Sequence, residues 1–394
     1  MAKLAAMVAV YALMIAVSAG CASLSARYPL ARPSLTGTMI PNPIGLLIPI
    51  VLFGFIAGFQ HTVGDTPYYR DWWASFIAAG KPKATGFGGG NTLMPYILSF
   101  AGKFNELFYN GGVRQGQIFI LVLSLLYLIP ALLILWIYAG DFGNACYFFM
   151  ATGTYFAAMN GLRQYAATGI LLLGTHFFLH PKLWKGFLGF LPFVLLAYTL
   201  HSSALIMIPL FFAVRLREFS WWTVLMVIGS VGCVLLSSAI LPGFLNALEG
   251  TDYQVYSENG WFTGSVGDTG LAQGGASALR ALVSMAVLIL VWLHRSTFRR
   301  MGLTGRILIN CQVVQLSINI ISTFNWIFQR LNIYLYIFQV LLLCFLFREL
   351  VRKYGRNSIW NIGGKVCFAV YAYLTVGGNV TSYHNVWLPW TLTL

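Results

Sequence analysis

Long apolar stretches separated by short polar loops run through almost the whole chain of 394 residues. A helix needs about 20 apolar residues to cross the hydrocarbon core of a bilayer, so this pattern predicts membrane-spanning helices. The candidate spans are 4–20, 43–59, 116–139, 142–158, 164–180, 183–200, 203–214, 221–242, 279–293, 306–323, 331–347 and 359–376. Because several are short or adjacent, we expect an all-α polytopic integral membrane protein with about 11–12 transmembrane helices, forming a single transmembrane domain over 1–394.

Two longer segments do not fit this pattern and are expected to lie outside the membrane. Segment 60–115 contains clustered aromatic residues that suit an amphipathic interfacial helix, and a short apolar run, 93–101, that suits a re-entrant one. Segment 243–278 is rich in glycine and acidic residues and is expected to form a loop. Stretch 4–20 is expected as an uncleaved first helix, although its end at Ser18-Ala19-Gly20-Cys21 also resembles a signal or lipoprotein-type leader.

The composition excludes a water-soluble domain, because apolar residues make up 58% of the chain and charged residues only 9%. Lys and Arg (24) exceed Asp and Glu (10), but they are scattered through short loops, which indicates membrane orientation and not nucleic-acid binding. Basic residues fill every second loop of the C-terminal half, and we expect those loops to be cytoplasmic. Segments 60–115 and 243–278 are then extracytoplasmic.

Metal and disulfide chemistry are not indicated by the sequence. The six cysteines lie in or beside apolar runs without paired spacing, so they are interpreted as small core residues. No Asp-x-Asp pair or His/Cys cluster is present. We therefore expect neither a metal nor a cofactor.

Three arginines do not lie in the predicted cytoplasmic loops, where most other basic residues are found. Arg163, Arg280 and Arg330 each lie at the predicted outer end of an apolar helix. A guanidinium is planar, permanently charged and able to form two parallel hydrogen bonds to a phosphate, so three of them suit a pyrophosphate. The alternative for each is a structural role, in which the side chain extends to the interface or pairs with a carboxylate.

Two residues on the same side are candidates for removing a proton from a sugar hydroxyl. His201 ends a helix and precedes Ser202 and Ser203, a setting that suits either a neutral imidazole base or a histidine held structurally in a turn. Asp65 is one of seven carboxylates on the predicted outer face. The aromatic residues that follow it, including Tyr68 and Tyr69, suit packing against sugar rings or a membrane-interface belt.

The order of these features resembles a known family, the EpsG-type branch of the Wzy polysaccharide polymerases. The resemblance covers roughly residues 45–350 and is strongest for the Arg-Gln and His-Ser motifs in combination. The residues that carry it are Asp65 with Tyr68 and Tyr69, Arg163-Gln164, His201-Ser202-Ser203-Ala204, and Arg330 with Tyr334.

The resemblance implies a fold similar to that of GT-C glycosyltransferases, with a site facing the exterior of the bacterial inner membrane. It implies transfer of an oligosaccharide from polyprenyl pyrophosphate to the non-reducing end of another lipid-linked repeat unit, without a metal, to build O-antigen, capsule or exopolysaccharide. Besides these donor and acceptor lipids, it implies a flippase and a chain-length regulator as partners. Asp65, Arg163 and His201 are the expected catalytic residues, and the expected substrate-binding residues are Tyr68, Tyr69, Gln164, Tyr165, Ser202, Arg280, Arg330 and Tyr334.

Three other functions are weighed against polymerisation. A lipid-linked oligosaccharide flippase would also need arginines around a pyrophosphate, but it requires a continuous polar path that the predicted cytoplasmic halves do not show. An O-antigen ligase would use the same donor with a different acceptor, and the sequence does not separate it from a polymerase. A membrane O-acetyltransferase would need a route for a cytoplasmic acyl donor, and the sequence shows none.

Overall fold

The computed structural model describes residues 12–13, 16–24, 40–60, 63–79, 92–109, 116–249, 254 and 276–381, and within these ranges the regular structure is helical. Helical residues near the start of the chain are 12–13 and 16–24. The α-helices that follow are α1 (Ile44–Gly58), α2 (Thr66–Ala79), α3 (Met94–Tyr109), α4 (Gln117–Tyr138), α5 (Phe142–Ala151), α6 (Thr154–Ala157), α7 (Leu162–Leu173), α8 (Thr175–Phe178), α9 (Leu183–Tyr198), α10 (Met207–Ala213), α11 (Trp221–Leu235), α12 (Ser237–Leu248), α13 (Ala278–Leu293), α14 (Arg295–Arg300), α15 (Leu303–Ser322), α16 (Tyr336–Tyr354) and α17 (Ile359–Thr381). Two 3₁₀ helices, Ser202–Ile206 and Trp326–Tyr334, precede α10 and α16.

The helices follow the predicted apolar stretches, but many stretches are broken. By length and apolar composition, α4 is the one helix in the described ranges that can cross a membrane alone. Counting the bent pairs α11 with α12 (88°) and 3₁₀ helix Trp326–Tyr334 with α16 (67°) as single spans raises that number to three. Four other apolar helices have 10–17 residues. The number of 11–12 spans therefore stays a prediction, and much of stretch 4–20 lies outside the described residues.

Two central helices organise the packing. In the N-terminal half, α4 packs against α1, α3 and α7, and in the C-terminal half α15 packs against α11, α13, α14 and α16. The two groups meet where α16 contacts α4 and α5, and where α7 contacts the 3₁₀ helix Trp326–Tyr334. This second contact joins the two halves beside the residues predicted for the site.

Segment 60–115 contains two helices, α2 and α3. The helix α3 is longer than the apolar run 93–101 seen in the sequence, because it continues to Tyr109. Most of segment 243–278 lies outside the described residues. The membrane face of both segments stays a prediction.

The carbonyl of Ser322, the last residue of α15, accepts a hydrogen bond from the backbone N–H of Ala276, and the basic residues Arg299 and Arg306 lie near the other end of this helix. At that far end Glu218 accepts a hydrogen bond from Nε of Arg306 at 3.1 Å and lies 3.5 Å from Nε of Arg299. At about 1.5 Å of rise per residue, Arg306 lies roughly 24 Å along α15 from Ser322.

Close packing of α7 on α4 depends on Gly169. A Cβ added there would overlap the carbonyl oxygen of Leu126 in α4, and a backbone atom cannot move aside. We expect Gly169→Ala to lower the free energy of unfolding by about 1–3 kcal/mol through overpacking, and to lower the melting temperature in detergent by several degrees. Gly232→Ala in α11 is the matched control, because nothing lies within 4 Å of its added Cβ. Equal melting temperatures for the two variants would show that α7 does not approach α4 this closely.

Candidate functional site

The candidate site lies at one end of the helices, where the turns before α2, α7 and α13 meet both 3₁₀ helices. These turns and helix ends carry charged or titratable side chains from distant parts of the chain. They are Asp65, Arg163, His201, Arg280 and Arg330.

Arg163 occupies the first turn of α7. Gly161 precedes this helix with φ of 69°, a left-handed conformation that glycine adopts without strain, and it turns the chain into α7. The Tyr69 hydroxyl accepts a hydrogen bond from the backbone N–H of Arg163 at 3.0 Å, and the guanidinium carbon lies 5.7 Å from the centre of the Trp72 ring. The first turn of α7 contains no acidic residue, so the charge of Arg163 adds to the positive end of the helix dipole.

Asp65 and Arg330 form an ion pair that joins the start of α2 to the second 3₁₀ helix. Nη2 of Arg330 donates to Oδ2 of Asp65 at 3.1 Å, and the two side chains are 25% and 35% exposed. The backbone N–H of Asp65 donates to Oδ1 of Asn160 at 3.1 Å. Gly64 (φ 54°) allows this approach, because a Cβ at that position would overlap the Asn160 side chain. Asp65 is thus fixed through both its backbone and its carboxylate.

Ser203 is the centre of a hydrogen-bond group that includes His201. Its Oγ lies 2.7 Å from Nδ1 of His201 and 2.6 Å from the Tyr334 hydroxyl, and it accepts a hydrogen bond from Nε2 of Gln164 at 3.4 Å. Nε2 of Gln164 also donates to the backbone carbonyl of Arg330 at 2.9 Å. The backbone N–H of Ser203 donates to Nδ1 of His201 at 3.4 Å. His201 is therefore connected to the ion pair through Ser203 and Gln164.

The surroundings of His201 and Tyr69 favour their neutral forms. Burial lowers the pKa of His201 well below its usual value near 6.5, and the positive charges of Arg163 and Arg330 lower it further. The ring is therefore neutral at physiological pH. Burial raises the pKa of Tyr69 to about 12, against the opposing effect of Arg163, so its hydroxyl stays protonated.

A cavity of about 320 Å³ lies beside the ion pair. Within the described part of the chain, the Arg280 guanidinium that lines it has no ion-pair partner, whereas Arg330 pairs with Asp65. Gln329 donates to the Tyr336 hydroxyl at 2.9 Å on the cavity wall. The other lining residues are Ala157, Asn160, Gly161, Tyr165, Ala276, Ser277, Trp326, Ile333 and Thr375. A positively charged cavity with amide and hydroxyl groups suits an anionic ligand that also carries hydroxyl groups.

Most residues predicted for the site come together in the structure. Asp65, Tyr69, Arg163, Gln164, His201, Arg330 and Tyr334 are connected by the contacts above, and Tyr165 and Arg280 line the cavity. Tyr68 lies further out, exposed on α2, with its ring centre 5.5 Å from that of Trp72. Ser203, which was not among the predicted residues, contacts the His201 ring, and Ser202 stays a predicted substrate-binding residue.

Four residues of this region were missed by sequence reasoning: Asn160, Ser203, Gln329 and Tyr336. The Asn-Gly pair directly before α7 is a turn signal that could have drawn attention to Asn160. For Gln329 and Tyr336 the sequence offers no signal, because both belong to an apolar helical region. In the described ranges, no group of three His, Cys, Asp or Glu residues could hold a metal ion.

Comparison with known proteins gives one match. A family model described as the EpsG family matches residues 44–391, which covers most of the chain and every residue of the candidate site. No curated protein and no solved structure matches the chain.

Proposed function

The chain belongs to the EpsG family, and on that basis we propose that it polymerises oligosaccharide repeat units carried on polyprenyl pyrophosphate. Family membership and the apolar helical chain identify a membrane protein of polysaccharide biosynthesis with the character of a polymerising glycosyltransferase. We further propose that the reaction occurs on the extracytoplasmic face of the bacterial inner membrane, in a GT-C-like architecture, and yields O-antigen, capsule or exopolysaccharide. A flippase and a chain-length regulator stay predicted partners.

The observation that carries this proposal is the convergence of three arginines at one end of the helices. Arg163 adds its charge to the start of α7, and Arg330 forms an ion pair with Asp65. Arg280 lines the cavity and has no ion-pair partner among the described residues. Within the described part of the chain, Asp65 is the carboxylate that pairs with one of these arginines, Arg330. A pyrophosphate leaving group gains negative charge as its bond to the sugar breaks, and preorganised guanidinium groups stabilise that charge.

The proposed reaction is a single displacement at the anomeric carbon of the donor. The acceptor hydroxyl oxygen forms the new glycosidic bond, the bond between the anomeric carbon and the pyrophosphate oxygen breaks, and its electron pair leaves with polyprenyl pyrophosphate. The hydroxyl proton passes to a base or to the leaving pyrophosphate. Asp65 and His201 are the two protein groups considered for the base. Tyr68 on α2 is exposed beside Trp72 and is positioned to pack against a sugar ring.

Reconstituted protein tests this function directly. The substrate is the lipid-linked repeat unit that accumulates in cells from which the gene has been deleted, and the product is followed as a ladder on a gel. We expect a ladder with wild-type protein and a loss of rate of about 100-fold with Arg280→Ala, because a cation that lines the cavity is removed. Arg217→Ala is the control, since Arg217 is exposed and lies outside the site.

Each other outcome points to a different function. Movement of the lipid-linked unit across the vesicle membrane without a ladder would indicate a flippase. Transfer of a single unit to an acceptor other than the lipid-linked repeat would indicate a ligase. A ladder that is equally strong with Arg280→Ala would leave the polymerase activity established but remove the cavity from the site.

A further inference from the structure

We infer, on the basis of the proposed function, that Ser203 is a positioning residue that fixes the proton of His201 on Nε2, so that His201 donates a hydrogen bond to substrate and does not accept its proton. The sequence alone leaves the role of His201 open between a base and a structural residue. The contacts of Ser203 determine which nitrogen of the ring carries the proton.

The first step concerns Nδ1 of His201. The backbone N–H of Ser203 points at this nitrogen at 3.4 Å, and a backbone N–H can only donate. An Nδ1 that carried a proton would face this N–H with a second N–H, which is repulsive. At 3.4 Å this donor is weak, so it favours Nδ1 as an acceptor, with the proton of the neutral ring on Nε2, without by itself excluding the other tautomer.

The second step concerns the hydroxyl of Ser203, which has one hydrogen and two lone pairs. With Nδ1 as acceptor, the hydrogen of Ser203 is donated to His201 at 2.7 Å. The two lone pairs then accept from the Tyr334 hydroxyl at 2.6 Å and from Nε2 of Gln164 at 3.4 Å. Every hydrogen-bonding position of this hydroxyl is used, so the direction of the chain from Tyr334 through Ser203 to His201 is fixed.

A charged ring is disfavoured at this position. Burial and the positive charges of Arg163 and Arg330 keep the pKa of His201 well below its usual range, so a second proton does not add at neutral pH. When Nδ1 accepts hydrogen bonds from Ser203 and Nε2 carries the proton, the ring has no free lone pair to take a proton from the hydroxyl of the acceptor sugar. Proton removal then falls to Asp65 or to the leaving pyrophosphate, and Nε2–H of His201 binds a substrate oxygen.

Two replacements of His201 separate a donor from a base. The amide of His201→Gln reaches the position of Nε2 and supplies an N–H there, whereas His201→Asn supplies an oxygen near Nδ1 and nothing near Nε2. We expect polymerisation by His201→Gln to be about tenfold faster than by His201→Asn, the effect of one retained hydrogen bond. If His201 were the base, both amides would be equally inactive in protein of equal melting temperature, and the inference would be overturned.

The ring nitrogens of His201 report the tautomer without any assay of activity. In protein labelled with ¹⁵N at histidine, the His201 signals are assigned by their loss in His201→Asn. We expect Nε2–H alone in wild type and in Ser203→Thr, which keeps the hydroxyl, and a mixture of tautomers in Ser203→Ala. In the polymerisation assay Ser203→Ala should reduce kcat about 10–100-fold, and Ser203→Thr should retain most of it.

The two proposals fail in different ways. Nδ1–H signals in wild-type protein would refute the role of Ser203 even if the protein makes polymer. An absence of polymer from every variant, including wild type, would refute the proposed function, and the role of His201 as a donor to sugar or pyrophosphate oxygen would fall with it. The tautomer itself would still be decided by the ¹⁵N spectrum.

Discussion

Arg163→Ala is expected to reduce the rate of polymerisation by about 10²–10³-fold, the loss typical of a group that stabilises charge in the transition state. The arginine combines its own charge with the positive end of α7, whose first turn holds no acidic residue. Its ring partner Trp72 and the bond from its backbone N–H to Tyr69 hold it in place. The loss should appear in kcat, because the charge on the leaving pyrophosphate develops as the sugar bond breaks.

The measurement is the initial rate of ladder formation by reconstituted protein at saturating lipid-linked substrate. Arg163→Lys keeps the charge but loses the planar guanidinium that forms two parallel hydrogen bonds to a phosphate, and we expect an intermediate rate. Arg295→Ala is the matched control: the Arg295 guanidinium carbon also lies over a tryptophan, 5.0 Å from the Trp292 ring centre, but outside the site. If Arg163→Ala and Arg295→Ala had the same rate, Arg163 would be a structural residue of the α2–α7 contact.

Breaking the ion pair between Asp65 and Arg330 is expected to reduce activity about 100-fold with either Asp65→Ala or Arg330→Ala. Each single change removes a charge that contacts the site and leaves its partner uncompensated in a partly buried position. The pair also ties α2 to the second 3₁₀ helix, so both variants should have lower melting temperatures than wild type.

Exchanging the two charges separates the structural part of this effect from the catalytic part. Asp65→Arg combined with Arg330→Asp restores an ion pair, and we expect recovery of the melting temperature without recovery of activity, because the cation no longer lies beside the cavity. The same exchange at Glu218 and Arg306, a pair at the opposite end of α15, should leave activity close to wild type. Full activity in the Asp65/Arg330 exchange would mean that the pair acts only as a tether.

The sequence determined where the helices lie. A backbone in hydrocarbon must satisfy its hydrogen bonds within its own segment, so long apolar stretches between polar loops become helices. The helix α4, at Gln117–Tyr138, differs from the predicted 116–139 by one residue at each end. Breaks within other stretches, such as Gly174 between α7 and α8 and Leu236 between α11 and α12, were not predicted, because a single small or apolar residue inside an apolar stretch is compatible with a continuous helix.

The sequence also identified most of the charged residues of the site. A charge is costly inside the membrane, so an arginine at a helix end is placed at an interface by its position alone. Counting the predicted spans, whose loops alternate between the two sides of the membrane, placed Arg163, Arg280 and Arg330 on one side. The structure brings these residues to one end of the helices.

Only the tertiary structure decided which of these residues touch. Asp65 and Arg330 are 265 positions apart, and a span pattern fixes the depth of a residue but not the rotation of its helix about its axis. The contact of Ser203 with the His201 ring depends on the extended backbone of His201 (φ −154°, ψ 118°) and on the 3₁₀ helix that follows. Contacts of this kind follow from the packing of distant segments, and no local pattern of residues specifies them.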